Sequence, residues 1–125
     1  MKPILKTLLL IISISLVSCK KDKIETPNVS TSEITEITAT TAVCGGELED
    51  IYLDMLAGIV FSTNPNPTRD NSLTFPPTMA LSEKRFICEM SYLTPNTKYY
   101  VRAYVKRYEG DIKYGEQKEF TTLAE

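Results

Sequence analysis

The chain opens with two lysines, Lys2 and Lys6, followed by an apolar run from Leu8 to Val17 that only Ser13 and Ser15 interrupt. A basic start followed by about 7–15 apolar residues is the layout of a secretory signal. The run is too short for a membrane-spanning helix, which needs about 20 apolar residues. A charged stretch follows, Lys20-Lys21-Asp22-Lys23-Ile24-Glu25-Thr26-Pro27, and then the pattern changes. From Asn28 onward no segment has helical periodicity. Short runs rich in Val, Ile, Thr, Tyr and Phe alternate with clusters of Asn, Pro, Asp and Gly, the signature of strands and turns. Strands are predicted near 28–37, 41–48, 56–63, 72–75, 84–91, 97–108 and 112–122. Seven such strands within 28–125 predict an all-β sandwich.

The breaks between strands have named causes. Asn64-Pro65-Asn66-Pro67 ends the third strand, because proline cannot donate to a ladder and restricts the residue before it. Pro76-Pro77 blocks continuation beyond 75. Glu109-Gly110-Asp111 is predicted to form a hairpin turn with Gly110 at positive φ. Gly45-Gly46 inside a strand predicts a bulge or a close backbone approach. Alternation within the strands places Ala42, Cys44, Leu48, Ile59, Phe61, Phe86, Met90, Leu93, Tyr99, Val101, Ala103, Val105 and Phe120 in the core.

Composition narrows the function classes. With 125 residues, 42% hydrophobic and 24% charged, the chain has ordinary folded-domain usage and the length of one domain. Its formal charge is -2; without Lys2 and Lys6 it carries 12 basic and 16 acidic residues, or -4. That balance gives no reason to expect nucleic acid, whose phosphates require a basic surface. There is no histidine, which excludes Ser-His-Asp and Cys-His catalysis and imidazole metal ligands. The cysteines at 19, 44 and 88 have no CxxC spacing, so no metal site and no cofactor are expected.

Leu16-Val17-Ser18-Cys19, directly after the apolar run, resembles the bacterial lipobox. The resemblance implies cleavage before Cys19, a diacylglyceryl group on its sulfur and acylation of the new N-terminus. Two or more acyl chains make a stable anchor where one would not. Lys20, rather than Asp, follows the cysteine, so the resemblance implies the outer membrane of a Gram-negative bacterium, with the periplasmic or external face open. A second resemblance lies in Leu93-Thr94-Pro95-Asn96-Thr97-Lys98-Tyr99-Tyr100-Val101-Arg102-Ala103-Tyr104. This stretch is similar to the fibronectin type III signature, and Tyr99 matches its tyrosine-corner position. Thr41-Ala42-Val43-Cys44-Gly45-Gly46, the segment from Gly58 to Thr68, and Tyr114-Gly115-Glu116-Gln117-Lys118-Glu119-Phe120-Thr121-Thr122 agree with versions of this domain in surface lipoproteins. The usual strand-B tryptophan is missing, so the core must be filled differently. The expected organisation is a signal over 1–18, a lipidated cysteine and flexible tether over 19–27, and an immunoglobulin-like sandwich of fibronectin type III kind over 28–125.

Three groups of residues carry candidate chemistry. Tyr100, Arg102, Tyr104 and Lys106 alternate with the inward positions of the sixth strand and are expected to face outward. Such a stripe suits a protein or glycan partner, and equally suits an ordinary exposed strand face. Cys44 and Cys88 are expected to point inward from neighbouring strands, either as a disulfide or as two buried thiols. Glu47, Glu49, Asp50 and Asp54 cluster after the second strand without any calcium-loop spacing, and a solvated acidic loop is expected. No catalytic residues are assigned. The expectation is a membrane-anchored, non-catalytic binding or adhesion module, with a structural subunit of a larger envelope complex as the alternative.

Overall fold

The computed structural model describes residues 24–75 and 83–125. The expected signal, Cys19 and the lysines that follow it, and Pro76-Pro77 lie outside the described residues. The elements are β1 (Val29–Thr31), β2 (Ala42–Leu48), β3 (Met55–Ser62), β4 (Leu73–Phe75), β5 (Arg85–Met90), β6 (Lys98–Arg107), β7 (Ile112–Tyr114) and β8 (Lys118–Thr121). One sheet has the order β1-β2-β5; the other runs β4-β3-β6, with β7 and β8 both paired to β6. All pairings between named strands are antiparallel. Since β7 and β8 share one position beside β6, the sandwich has seven strand positions in two sheets.

Every residue expected in the core is buried in one cluster, joined by Ala57 and Cys88. In the absence of tryptophan the aromatic part of this core comes from Phe61 on β3, Phe86 on β5, Tyr99 on β6 and Phe120 on β8. Tyr99 meets Phe61 edge-on at 6.1 Å and stacks on Phe120 at 5.7 Å. Phe86 lies over Gly46, where an added Cβ would sit 2.7 Å from the ring's Cζ. Gly45 is as tightly placed, 2.0 Å from the Phe86 carbonyl oxygen by the same measure. The register through Gly45 and Gly46 is continuous, so the pair serves close approach of strands rather than a bulge.

The last predicted strand, 112–122, is divided. Tyr104 pairs with Tyr114, whereas Val101 pairs with Lys118. The register therefore slips by one residue across Gly115-Glu116-Gln117, as at a β-bulge. The polar groups freed by the slip find partners in β1: Ala103 N donates to Thr31 Oγ1 at 3.0 Å, and Thr31 N donates to the Glu116 carboxylate. Gly115 N still reaches Ala103 O at 2.9 Å. Thr31 is buried and so links the two sheets at one edge.

Gly110 is a correction to the sequence reading. No glycine among the described residues has positive φ. An added Cβ at Gly110 would meet Thr26 Oγ1 at 2.6 Å and Arg107 Cβ at 3.2 Å, so the turn needs space, not a left-handed backbone. The positive-φ residues are Glu36, Asn66, Tyr92 and Asn96. The expected tether also ends earlier than 27. Thr26 and Pro27 are buried, Thr26 Oγ1 donates to Asp111 O, and Arg107 Nη1 donates to Glu25 O at 3.3 Å.

Candidate functional site

The outer face of β6 is where the sequence placed a binding stripe. The alternation holds, since Tyr99, Val101, Ala103 and Val105 are buried in the core and the intervening residues point the other way. The face is nevertheless covered by the chain itself. The β3–β4 connection folds back over it, and Arg102 donates from Nε at 3.0 Å and from Nη2 to the buried Pro67 carbonyl oxygen. The same guanidinium stacks over the Tyr114 ring at 4.1 Å. Arg69 N donates to the Tyr114 hydroxyl at 3.1 Å, and Asn66 N donates to Gln117 Oε1.

Tyr104 is consequently only 3% exposed, with the Arg69 guanidinium 5.1 Å from its ring centroid. Burial raises its pKa, while the Arg69 charge opposes the shift. Val60, the Cα partner of Arg102 on β3, is buried as well. The expected outward stripe is thereby corrected: Tyr104 is unavailable and Arg102 is committed. Lys106 Nζ donates to the carbonyls of Arg107 and Tyr108 at 3.1 and 3.3 Å. Tyr100 is half-buried beneath Lys98, whose Nζ is 5.4 Å from the ring centroid and 3.3 Å from Glu119. That carboxylate raises the Lys98 pKa.

The missed residues are those that close this lid, namely Pro67, Arg69, Tyr114 and Gln117. The only hint in the sequence was the Asn-Pro repeat at 64–67, which reads as a turn and not as a cover.

Tyr99 lies on the opposite, core-facing side of β6, near the start of the strand. Its hydroxyl accepts a hydrogen bond from Thr94 N at 2.9 Å, five residues upstream, which is the geometry of a tyrosine corner. Thr122 locks the same corner: its buried Oγ1 donates to Thr94 O at 2.6 Å and accepts from Thr97 N at 2.9 Å. These contacts are structural and offer nothing reactive.

Cys44 and Cys88 are Cα partners across β2 and β5, and both carry free, buried thiols. Leu48 N donates to Lys84 O. Antiparallel ladders alternate hydrogen-bonded with non-bonded pairs, and counting by twos from Leu48 puts Cys44–Cys88 on a hydrogen-bonded rung. Cα atoms there are about 5.5 Å apart, wider than on the non-bonded rungs. Burial pushes the Cys44 thiol up to about 11, with the Gly45 backbone opposing it. Burial, then the charge of Cys44, pushes Cys88 up to about 12. Neither is a thiolate near neutrality, so neither is set up as a nucleophile.

The acidic residues after β2 do not converge. Glu47 faces Arg85 at 3.5 Å, Glu49 accepts from Asn28, Asp50 accepts from Ile51 N and Asp54 pairs with Arg107 at 3.1 Å. Among the described residues no group of three or more acidic or cysteine side chains is placed to hold a metal ion.

The seven strand positions, the two-sheet order and the tyrosine corner define a fibronectin type III-like β-sandwich. No family profile and no curated protein matches the chain. Solved structures do. The sensor domain of the anti-sigma factor RsgI4 of Pseudobacteroides cellulosolvens is similar with a TM-score of 0.58 at 18% identity, over 79% of this chain and 91% of that one. The fibronectin type III domain of the human KIAA0970 protein is similar with a TM-score of 0.55 at 14% identity, over 78% and 74%. Purple acid phosphatase PPD1 of yellow lupin matches at 0.57 and 9% identity, over 79% of this chain but 19% of the enzyme. At these identities the likeness shows the fold. The neighbours include sensor and fibronectin type III domains, and the match to the enzyme spans only a small part of it.

Proposed function

We propose that this chain is a lipid-anchored, non-catalytic binding module of a Gram-negative outer membrane, held by acyl chains on Cys19 and presenting the sandwich to a protein or glycan. The observation that carries the reading is the chain path. Cys19 of the Leu16-Val17-Ser18-Cys19 motif stands five residues before Ile24, which packs beside Gly110. Only Lys20-Lys21-Asp22-Lys23 lies in sequence between the proposed anchor and that contact. The self-covered outer face of β6 moves the search for a ligand to the loops. At the end away from Ile24, Tyr92 is 97% exposed with φ of 59°. A bulky residue rarely holds that backbone conformation, and such residues gather at ligand-binding positions.

Two measurements test the reading. Cells fed a palmitate analogue should label the protein, and Cys19→Ser should abolish the label; an unlabelled, freely soluble wild type would sink the anchor. Protease digestion of the domain on intact cells would place it outside and direct attention to host proteins and glycans. Protection until lysis, with a membrane protein co-purifying in fixed ratio, would favour the alternative of an assembly subunit in an envelope complex.

A further inference from the structure

Four of the seven exposed large apolar side chains among the described residues lie at the end of the sandwich where the chain enters, while Tyr92 and Leu123 lie at the far end. Leu53 is fully exposed, Tyr108 is 80% exposed, and Leu56 and Tyr52 are partly so. Leu53 and Tyr52 belong to the β2–β3 loop, Tyr108 to the β6–β7 turn, and the two loops are joined by a hydrogen bond from Tyr108 N to Asp54 O at 3.1 Å. Residues 24–26 pack on the same turn: the space beside Gly110 is taken by Ile24 and Thr26, and Arg107 holds Glu25 O.

We infer that this end is a membrane-docking tip, which rests on the lipid bilayer and inserts Leu53 and the flanking tyrosines into its interface. The inference builds on the Cys19 anchor proposed above. Five residue steps from Cys19 to Ile24 reach at most about 18 Å even when fully extended. The ten-residue β6 gives the sandwich a long dimension of about 34 Å. An anchored Cys19 therefore keeps this end near the lipid, and the far end cannot take its place while the sandwich stands upright.

The local chemistry suits an interface. Tyrosine rings settle at headgroup depth, where one edge is apolar and the other wet. An amphipathic surface of this kind sinks its apolar side about 5–10 Å into the headgroup and acyl boundary. The charge at the centre is paired: Arg107 meets Asp54 at 3.1 Å and covers the Tyr52 ring at 4.0 Å. Lys106 caps the Arg107 and Tyr108 carbonyls, which lowers the cost of removing them from water. Glu49 and Asp50 belong to the β2–β3 loop and Glu109 to the β6–β7 turn, so the tip's own loops do not draw it to anionic lipid and apolar insertion holds it.

The chain contains no tryptophan, so a single introduced one reports its own surroundings. The test uses the full chain, purified with its lipid and reconstituted into vesicles of phosphatidylethanolamine and phosphatidylglycerol with brominated acyl chains. Leu53→Trp should emit at shorter wavelength than Tyr92→Trp and be quenched by the bromine, while Tyr92→Trp should not. If acyl groups are found on Cys19 by mass spectrometry and both tryptophans stay unquenched, docking is overturned and the anchor stands. A blue shift at position 53 that grows with protein density and lacks bromine quenching would assign the tip to a second copy of the chain and also overturn docking. Absence of acyl mass would overturn anchor and docking together.

Discussion

Raising the pH should weaken this fold by drawing protons from thiols that the core keeps neutral. An ordinary thiol titrates at 9.0; burial lifts Cys44 to about 11, and burial followed by the Cys44 charge lifts Cys88 to about 12. Above 9.0 the unfolded chain releases protons that the native state retains. The sign follows directly: the contribution is fully present below 9.0 and is lost as pH rises through the folded values. Each unit of difference is worth about 1.4 kcal/mol. Cys44 alone thus accounts for about 3 kcal/mol of alkaline loss. Cys88 does not add independently, because part of its shift is the neighbouring thiolate. The buried Tyr104, also raised, pulls in the same direction. The assay is urea unfolding followed by far-ultraviolet circular dichroism, below 9.0 and again toward about 11. Wild type is compared with a Cys44→Ala, Cys88→Ala double variant, each referenced to its own stability at the lower pH. The variant will start weaker, since truncation leaves cavities, but its alkaline decline should be shallower by about 3 kcal/mol. Equal declines would refute the reasoning.

Three further outcomes are expected. If Cys19 is acylated as proposed, thiol counting with a disulfide reagent should find no reactive thiols in the native protein and two after denaturation, the pair at 44 and 88; a third would mean that Cys19 is unmodified. Tyr99→Phe keeps the ring between Phe61 and Phe120 but leaves Thr94 N without its acceptor, a loss of about 1–3 kcal/mol by chemical denaturation; an unchanged midpoint would remove the tyrosine corner from the stability account. Arg102→Met strips two donors from Pro67 O, so limited proteolysis should cleave the 63–72 connection faster than in wild type while the strands stay resistant. Unchanged cleavage would show that the loop is held by its other contacts.

Strand pattern and core were legible because a half-buried strand writes its own alternation. Each expected core residue belongs to a strand or to the Leu93 corner, and the burial of each follows from period two alone. The Gly45-Gly46 pair was legible as a bulge or a close approach, and only the continuous register with β5 decides for the approach. The split between β7 and β8 was not legible. Residues 112–122 look strand-like throughout, and the slip at Gly115 depends on Thr31 and Glu116 satisfying groups on a strand distant in sequence.

By itself, the sequence determined the seven strand positions, the inward set, the tyrosine corner residue and the chemistry that is missing for want of histidine. Each depends on residue type and short-range spacing. Tertiary structure decided which surfaces remain open. Tyr104 reads as an exposed strand residue, yet it is buried because Pro67 and Arg69 come back from a loop more than thirty residues away to cover it. Leu53, Leu56 and Tyr108 read as unrelated apolar residues, yet they meet at one end because β3 and β6 pair antiparallel and bring their loops together. Periodicity states which way a side chain points from its own strand; whether another segment then covers it depends on the path of the whole chain.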